Sequence, residues 1–166
     1  MSRKLIAVAV VTGAIGFVAG NAFWYLASPL WIDRVVAEEL PAELQMKTVA
    51  KGEFSGADRG ADSVHHGKGT ATVFESASGA KVLRFTDFEV TNGPDLKVWL
   101  VKAGQIKSAA DVTGSQWLTL GPLKGNIGDQ NYVIPDDANA SDYQSVVIWC
   151  EQFSVLFAAA DLAPAS

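Results

Sequence analysis

One apolar run near the N-terminus constrains this chain more than any other feature. After "MSRK" the sequence reads "LIAVAVVTGAIGFVAGNAFWYLASPLWI", with no charged side chain between Lys4 and Asp33. A helix crossing the hydrocarbon core of a bilayer takes about 20 apolar residues, and residues 5–27 supply them. Arg3 and Lys4 precede the run, whereas Asp33, Glu38, Glu39 and Glu43 follow it. A basic flank stays cytoplasmic, which predicts a cytoplasmic stub at 1–4, a single-pass anchor at 5–27 and a periplasmic or extracellular remainder. Trp24, Tyr25 and Trp31 fall where an outer interfacial belt sits.

A cleaved signal peptide is the competing reading, with weak small-residue sites at "VAG" (18–20) and "GNA" (20–22). The apolar character runs on to Trp31, which favours an uncleaved anchor, and either reading exports the rest. Gly16 and Gly20 make a G-x-x-x-G pair, a spacing common enough in such helices that it does not specify a dimer. The segment has no cysteine for lipid attachment.

Beyond the anchor, "DRVVAEELPAELQMK" (33–47) reads as a short juxtamembrane helix stopped near Pro41, then a linker. From Thr48 the texture changes to short β-rich runs. "GTATVFES" (69–76), "KVLRFTDFEV" (81–90), "LKVWLVK" (96–102), "QWLTL" (116–120), "QNYVI" (130–134), "SVVIWC" (145–150) and "FSVLFAA" (153–159) are the predicted strands. Turn signals separate them at regular intervals, among them "TNGPD", "LGPLKGNIGD" and "IPDDANASD". Simple alternation puts Val82, Arg84, Thr86, Phe88 and Val90 on one face and Leu83, Phe85, Asp87 and Glu89 on the other. No long amphipathic helix follows the anchor, so the expected fold is all-β, an antiparallel β-sandwich over residues 48–163. The last two runs are apolar on both faces and should lie centrally, covered on both sides.

Apolar residues make up 49% of the chain, a proportion that favours a packed core over disorder. The net charge of −5, with no Lys/Arg cluster, argues against nucleic acid as a partner.

Chemistry-bearing residues are few. Cys150 is the one cysteine, so an internal disulfide is impossible. Alternation places it with Val146 and Ile148, opposite Val147 and Trp149. Three roles stay open: buried packing, a reactive thiol, or a cofactor ligand. A reactive thiol needs partial exposure and a nearby positive charge, and the adjacent Glu151 works against that. His65 and His66 are neighbours and so point apart in extended backbone. Either could join Cys150 around a haem iron or a copper ion only if the fold brought them together. Blue copper is excluded by the lack of any histidine or methionine after Cys150, and structural zinc by too few ligands. "GADSVHHG" is not a nucleophile elbow. "DDANASD" does not match a calcium loop and reads as a solvated turn. The "NGPD" and "LKGNIGDQ" loops are polar and Gly-rich, with turn formation as their ordinary role.

In this order, "HHGKGTATVF", "LRFTDFEVTNGPDLKVWL", "LGPLKGNIGDQNYVIP" and "SVVIWCEQFSVLFAAADL" resemble the DM-thirteen domain, also called the electron-transfer DM domain, from about residue 48 to 163. One departure is visible, "FAAADL", with Ala158 where members often carry glycine. The resemblance implies an extracytoplasmic β-rich domain, found in some proteins beside cytochrome-like DOMON domains. It also implies electron transfer through a characteristic cysteine, either as a naked thiol or as ligand to a group such as haem. That role carries over to Cys150 alone, with His65 or His66 as the weaker cofactor-binding candidate. The expectation is therefore a membrane-anchored extracytoplasmic redox module with a redox protein as partner. The alternative is a non-catalytic binding or envelope-associated module in which Cys150 is buried packing.

Overall fold

Between Leu5 and Ala27 nothing interrupts a helix: there is no proline and no charge, and glycine is well tolerated in apolar helices of this kind. The computed structural model, which describes residues 2–28, 31–40, 45–56 and 64–165, forms that helix as α1, Arg3–Ala27. Its 25 residues extend roughly 38 Å at about 1.5 Å each. The side chains from Arg3 to Tyr25 are exposed, and α1 is long and apolar enough to cross a membrane. Asn21 within it donates one Nδ2–H to the carbonyl of Phe17 at 2.7 Å. The chain divides into two units, Met1–Ile32 and Asp33–Ser166.

The second unit is mostly β. Its strands are β1 (Val35–Ala37), β2 (Lys47–Gly56), β3 (Gly67–Glu75), β4 (Lys81–Val90), β5 (Leu96–Val101), β6 (Trp117–Pro122), β7 (Ile127–Ile134), β8 (Ser145–Cys150), β9 (Val155–Asp161) and β10 (Ala163–Pro164). A short helix, α2 (Ala109–Thr113), interrupts them. The hydrogen-bonded order is β1-β7-β4-β3-β2-β9-β8-β5-β6, with β10 added beside β2.

This differs from the expected antiparallel sandwich in two respects. The sheet is one continuous curled path, a half-barrel, and it is mixed. Continuity comes from β2, which pairs with β3 through Lys47–Glu53 and then with β9 through Phe54–Gly56. One strand thus carries the sheet around its corner. The mixed character comes from β1, which runs parallel to β7, while every other ladder is antiparallel.

Where the sequence predicts a juxtamembrane helix from 33 to near Pro41, the chain instead forms a strand at 35–37. Val35 and Val36 are β-branched and favour extended backbone, and without β1 the strand β7 would be a sheet edge with unpaired N–H and C=O groups. Pro41 and the rest of 41–44 lie outside the described residues.

Two apolar clusters result. The larger fills the concave side of the curl, with Phe54, Leu83, Phe85, Phe88, Val98, Leu100, Ile134, Val146, Ile148 and Cys150 among its buried members. The smaller covers the outer face of β5, β8 and β9 with Trp99, Val101, Val147, Trp149, Leu156 and Ala159. Ile106 and Val112 from the β5–β6 connection plug it from outside. Asp111 fixes α2 there by accepting from the Lys107 and Ser108 backbone N–H groups at 3.0 and 2.9 Å. The expectation that the last two long strands are covered on both faces therefore holds.

Strict alternation fails in β9, where Phe157 and Ala158 both belong to the larger cluster, and in β4. Asp87 has φ +50°, and the β4 ladders to β3 and β7 both shift register there. Opposite it, Gly69 has φ +104°, and a Cβ at Gly69 would meet Phe88 Cα at 2.7 Å, so only glycine fits. The bulge turns Phe88 and Val90 to the same core face as Leu83 and Phe85. Phe54, Phe85 and Phe88 then pack with ring centroids 4.8–5.0 Å apart.

Candidate functional site

Every residue of β8, "SVVIWC", is buried. Cys150 ends the strand, opposite Leu96 of β5 and Val155 of β9. It is free, 1% exposed, and clusters with Val146 and Ile148, while Val147 and Trp149 face the outer cluster. That is the facing the sequence predicts.

Charges gather near the end of the strand. Lys97, paired in register with Trp149, bonds Asp95 at 2.9 Å and stands 3.7 Å from Glu151. The Asp95 hydrogen bond, opposed by burial and aided by the Asp95 and Glu151 charges, holds the Lys97 ammonium above its ordinary pKa. Lys97 alternates with the core residues Leu96 and Val98, so its charge lies across the strand from the sulfur.

The two histidines diverge. His65 is half-buried against Phe157, with ring centroids 3.9 Å apart, and Phe157 belongs to the core cluster that includes Cys150. His66 is exposed, and its backbone N–H donates to Thr91 Oγ1 at 2.8 Å. It lines an open cleft of about 290 Å³ shared with Asp33, Lys68, Glu89, Asn92 and Asn126. Asp33 Oδ1 accepts from the side-chain amides of Asn92 and Asn126, each at 2.8 Å, so the "NGPD" and "LKGNIGDQ" loops meet at one carboxylate. Lys68 and Glu89 pair at 2.7 Å across the mouth. Among the described residues no group of three or more His, Cys, Asp and Glu side chains converges.

A haem on Cys150 does not fit this arrangement. The sulfur sits among packed strands, and even a methyl on nearby Gly93 would meet Phe157 and Leu96 at 2.8–2.9 Å. A porphyrin would have to part β5, β8 and β9. What the arrangement can support is chemistry at a distance from an enclosed thiol.

Two features escape sequence reasoning. A polar strap, residues 34–39, is fixed to β7: Arg84 donates to the Glu38 carbonyl at 2.8 Å and pairs with Asp129. Lys124 Nζ reaches Glu38 Oε1 at 2.8 Å, and the Asn131 N–H donates to Glu38 Oε2 at 2.7 Å. Burial alone would raise the Glu38 pKa. The Lys124 and Asn131 hydrogen bonds and the Lys124 and Arg84 charges outweigh it and hold the carboxyl below its ordinary value.

The second is a tryptophan column on the outer face. Trp117 of β6 stacks on Trp99 of β5 with centroids 3.9 Å apart and planes 6° from parallel, and Trp99 lies 5.3 Å from Trp149 of β8. The Trp99 Nε1–H is buried and has no hydrogen-bond partner among the described residues. Neighbouring strands set this column, so no local spacing announces it. Its one signal in the sequence is a tryptophan in each of three predicted strands.

A family model described as Electron transfer DM13 matches residues 60–162, a span that contains His65, His66, all of β3 through β9 and Cys150. Comparisons with curated proteins and with solved structures gave no match.

Proposed function

The chain belongs to the electron-transfer DM13 family, and from that premise we propose that it is a membrane-anchored, extracytoplasmic redox module whose electron-carrying group is Cys150. In this reading residues 5–27 anchor the chain, 1–4 stay cytoplasmic, and the β unit meets a one-electron redox protein outside. The observation that carries it is the family match across the β unit that holds the chain's single thiol.

Burial narrows the chemistry. Thiol–disulfide exchange needs an attacking thiolate to reach sulfur, and a thiol 1% exposed offers no approach. One-electron transfer needs no contact with the sulfur itself. The half-step is loss of one electron to the partner and of the S–H proton to solvent, leaving a thiyl radical. The same burial among apolar side chains supports the second reading, a binding or envelope-associated module in which Cys150 only packs.

Voltammetry of the full-length chain in detergent separates the two. A wave lost in both Cys150→Ser and Cys150→Ala, with unfolding still cooperative, supports the redox reading. A wave that survives Cys150→Ala, or its absence from the parent chain, leaves packing as the role of this cysteine.

A further inference from the structure

Three of the five tryptophans stand in one column that begins at the surface and ends at Trp149, which precedes Cys150 in β8 and faces the opposite side of the strand. Trp117 is 46% exposed on β6, at the end of the strand order, while Trp99 and Trp149 are 4% and 2% exposed. Trp149 is joined to Cys150 by one peptide bond. Aromatic packing explains the stacking but not the buried, unpartnered indole N–H of Trp99, since buried donors ordinarily find an acceptor.

That missing acceptor matters for charge movement. An oxidised indole is far more acidic than the neutral ring, and a hydrogen-bonded base would take its N–H proton and trap the charge there as a neutral radical. With no acceptor on Nε1 among the described residues, the Trp99 cation radical keeps its proton and is free to be refilled by the next ring.

We propose that Trp117, Trp99 and Trp149 form an electron relay between the buried half of the β unit and a one-electron acceptor that docks at Trp117. The inference rests on the reading of Cys150 as the electron source. The acceptor takes one electron from Trp117. Trp99 refills Trp117 across 3.9 Å and Trp149 refills Trp99 across 5.3 Å. Cys150 refills Trp149, losing one electron and its S–H proton. The S–H proton is passed to solvent, the nearest exposed residues along the chain being 151–154. The acceptor ends one electron reduced, the thiol becomes a thiyl radical, and the three indoles are unchanged.

The test uses the full chain in detergent with Trp24→Phe and Trp31→Phe, because those two exposed tryptophans lie in the other unit. Tris(bipyridine)ruthenium(III), generated by a laser flash with a sacrificial acceptor, is the oxidant. The readout is the transient visible absorption of the indole radical. Trp117→Phe, at a half-exposed edge position that tolerates the change, is expected to slow radical formation at least tenfold. Trp99→Phe is expected to leave formation fast but to lengthen the radical's life at least tenfold, because Trp117 can no longer be refilled. Formation at the parent rate in Trp117→Phe would overturn the relay.

Cys150→Ser separates the two claims. If Trp99→Phe prolongs the radical and Cys150→Ser does not, the relay stands and Cys150 is not its source. If the Cys150 wave persists while neither tryptophan variant alters the kinetics, Cys150 stands and the relay falls.

Discussion

Gly128→Ala is expected to release the strap at residues 34–39 without unfolding the β unit. Gly128 has φ +98°, and a Cβ there would overlap the Val36 carbonyl oxygen. The obstacle is backbone, so no rotamer change relieves it. The strap is held by the parallel pairing of Val35–Ala37 with Ile127–Asp129 and by hydrogen bonds such as Glu38 N–H to Asp129 O at 2.9 Å. Each bond is worth about 1 kcal/mol net, and ordering a residue's backbone takes back about as much. Closure is therefore marginal. A non-glycine residue held at such a φ costs roughly 1–3 kcal/mol, and the overlap adds to it. Taking about 2 kcal/mol, the open fraction rises roughly thirtyfold.

A glutamate-specific protease reads this out on the full chain in detergent, through fragments ending at Glu38 or Glu39. Where opening is fast relative to cutting, the rate follows the open population. Gly79→Ala is the control, because Gly79 has φ +87° but nothing within 4 Å of its would-be Cβ. Equal cleavage in the two variants would refute the account of the strap as sterically gated by Gly128.

The depressed Glu38 pKa makes the same strap pH-dependent. Its stabilisation is present above the ordinary glutamate value and is lost as pH falls through the lower folded value, so cleavage at Glu38 and Glu39, read by mass after a brief acid pulse, should rise there. Glu38→Gln, read at Glu39 alone because the change removes the Glu38 cut site, should flatten that dependence. Tyr132 donates to Gln130 Oε1 at 2.6 Å and accepts from the Lys124 N–H at 3.0 Å. Tyr132→Phe is thus expected to cost about 1–3 kcal/mol in chemical denaturation. Burial, opposed by the Lys124 N–H bond and aided by the Glu38 charge, raises the Tyr132 pKa. Its contribution is whole below the ordinary phenol value of about 10 and falls as pH rises through the folded value. In Tyr132→Phe that alkaline loss should be absent from denaturation midpoints.

The strands that alternation announces are those with one apolar face or two. β5, β8 and β9 are legible because their faces meet two separate clusters, one concave and one outer. β2 is less legible, since "KTVAKGEFSG" mixes lysine, glycine and serine, and it forms because partners on both sides need a shared corner strand. β1 is invisible locally, since "RVVAEEL" suits a helix as well. The open edge of β7 decides it, and that edge exists only in three dimensions. The facing of Phe88 goes wrong for a similar reason. "TDFEV" continues the alternation, and the flip depends on Asp87 accepting a positive φ opposite Gly69, eighteen residues away.

The site divides along the same line. The chemical kind of Cys150 and the face it occupies follow from a single strand's period, and both are where the sequence puts them. Its exposure depends on which strands flank β8, and those strands enclose it. Enclosure then selects among the chemistries that one thiol can perform: reactions that bring a second molecule to the sulfur are blocked, while packing and long-range electron transfer survive. The stacked tryptophans come from strands β5, β6 and β8, whose adjacency crosses the chain order. A column of this kind cannot be read along a sequence, because it exists only across the ladders. If the sulfur is only packing, the column needs no particular end. If it carries charge, the column must end where it does, one residue from Cys150.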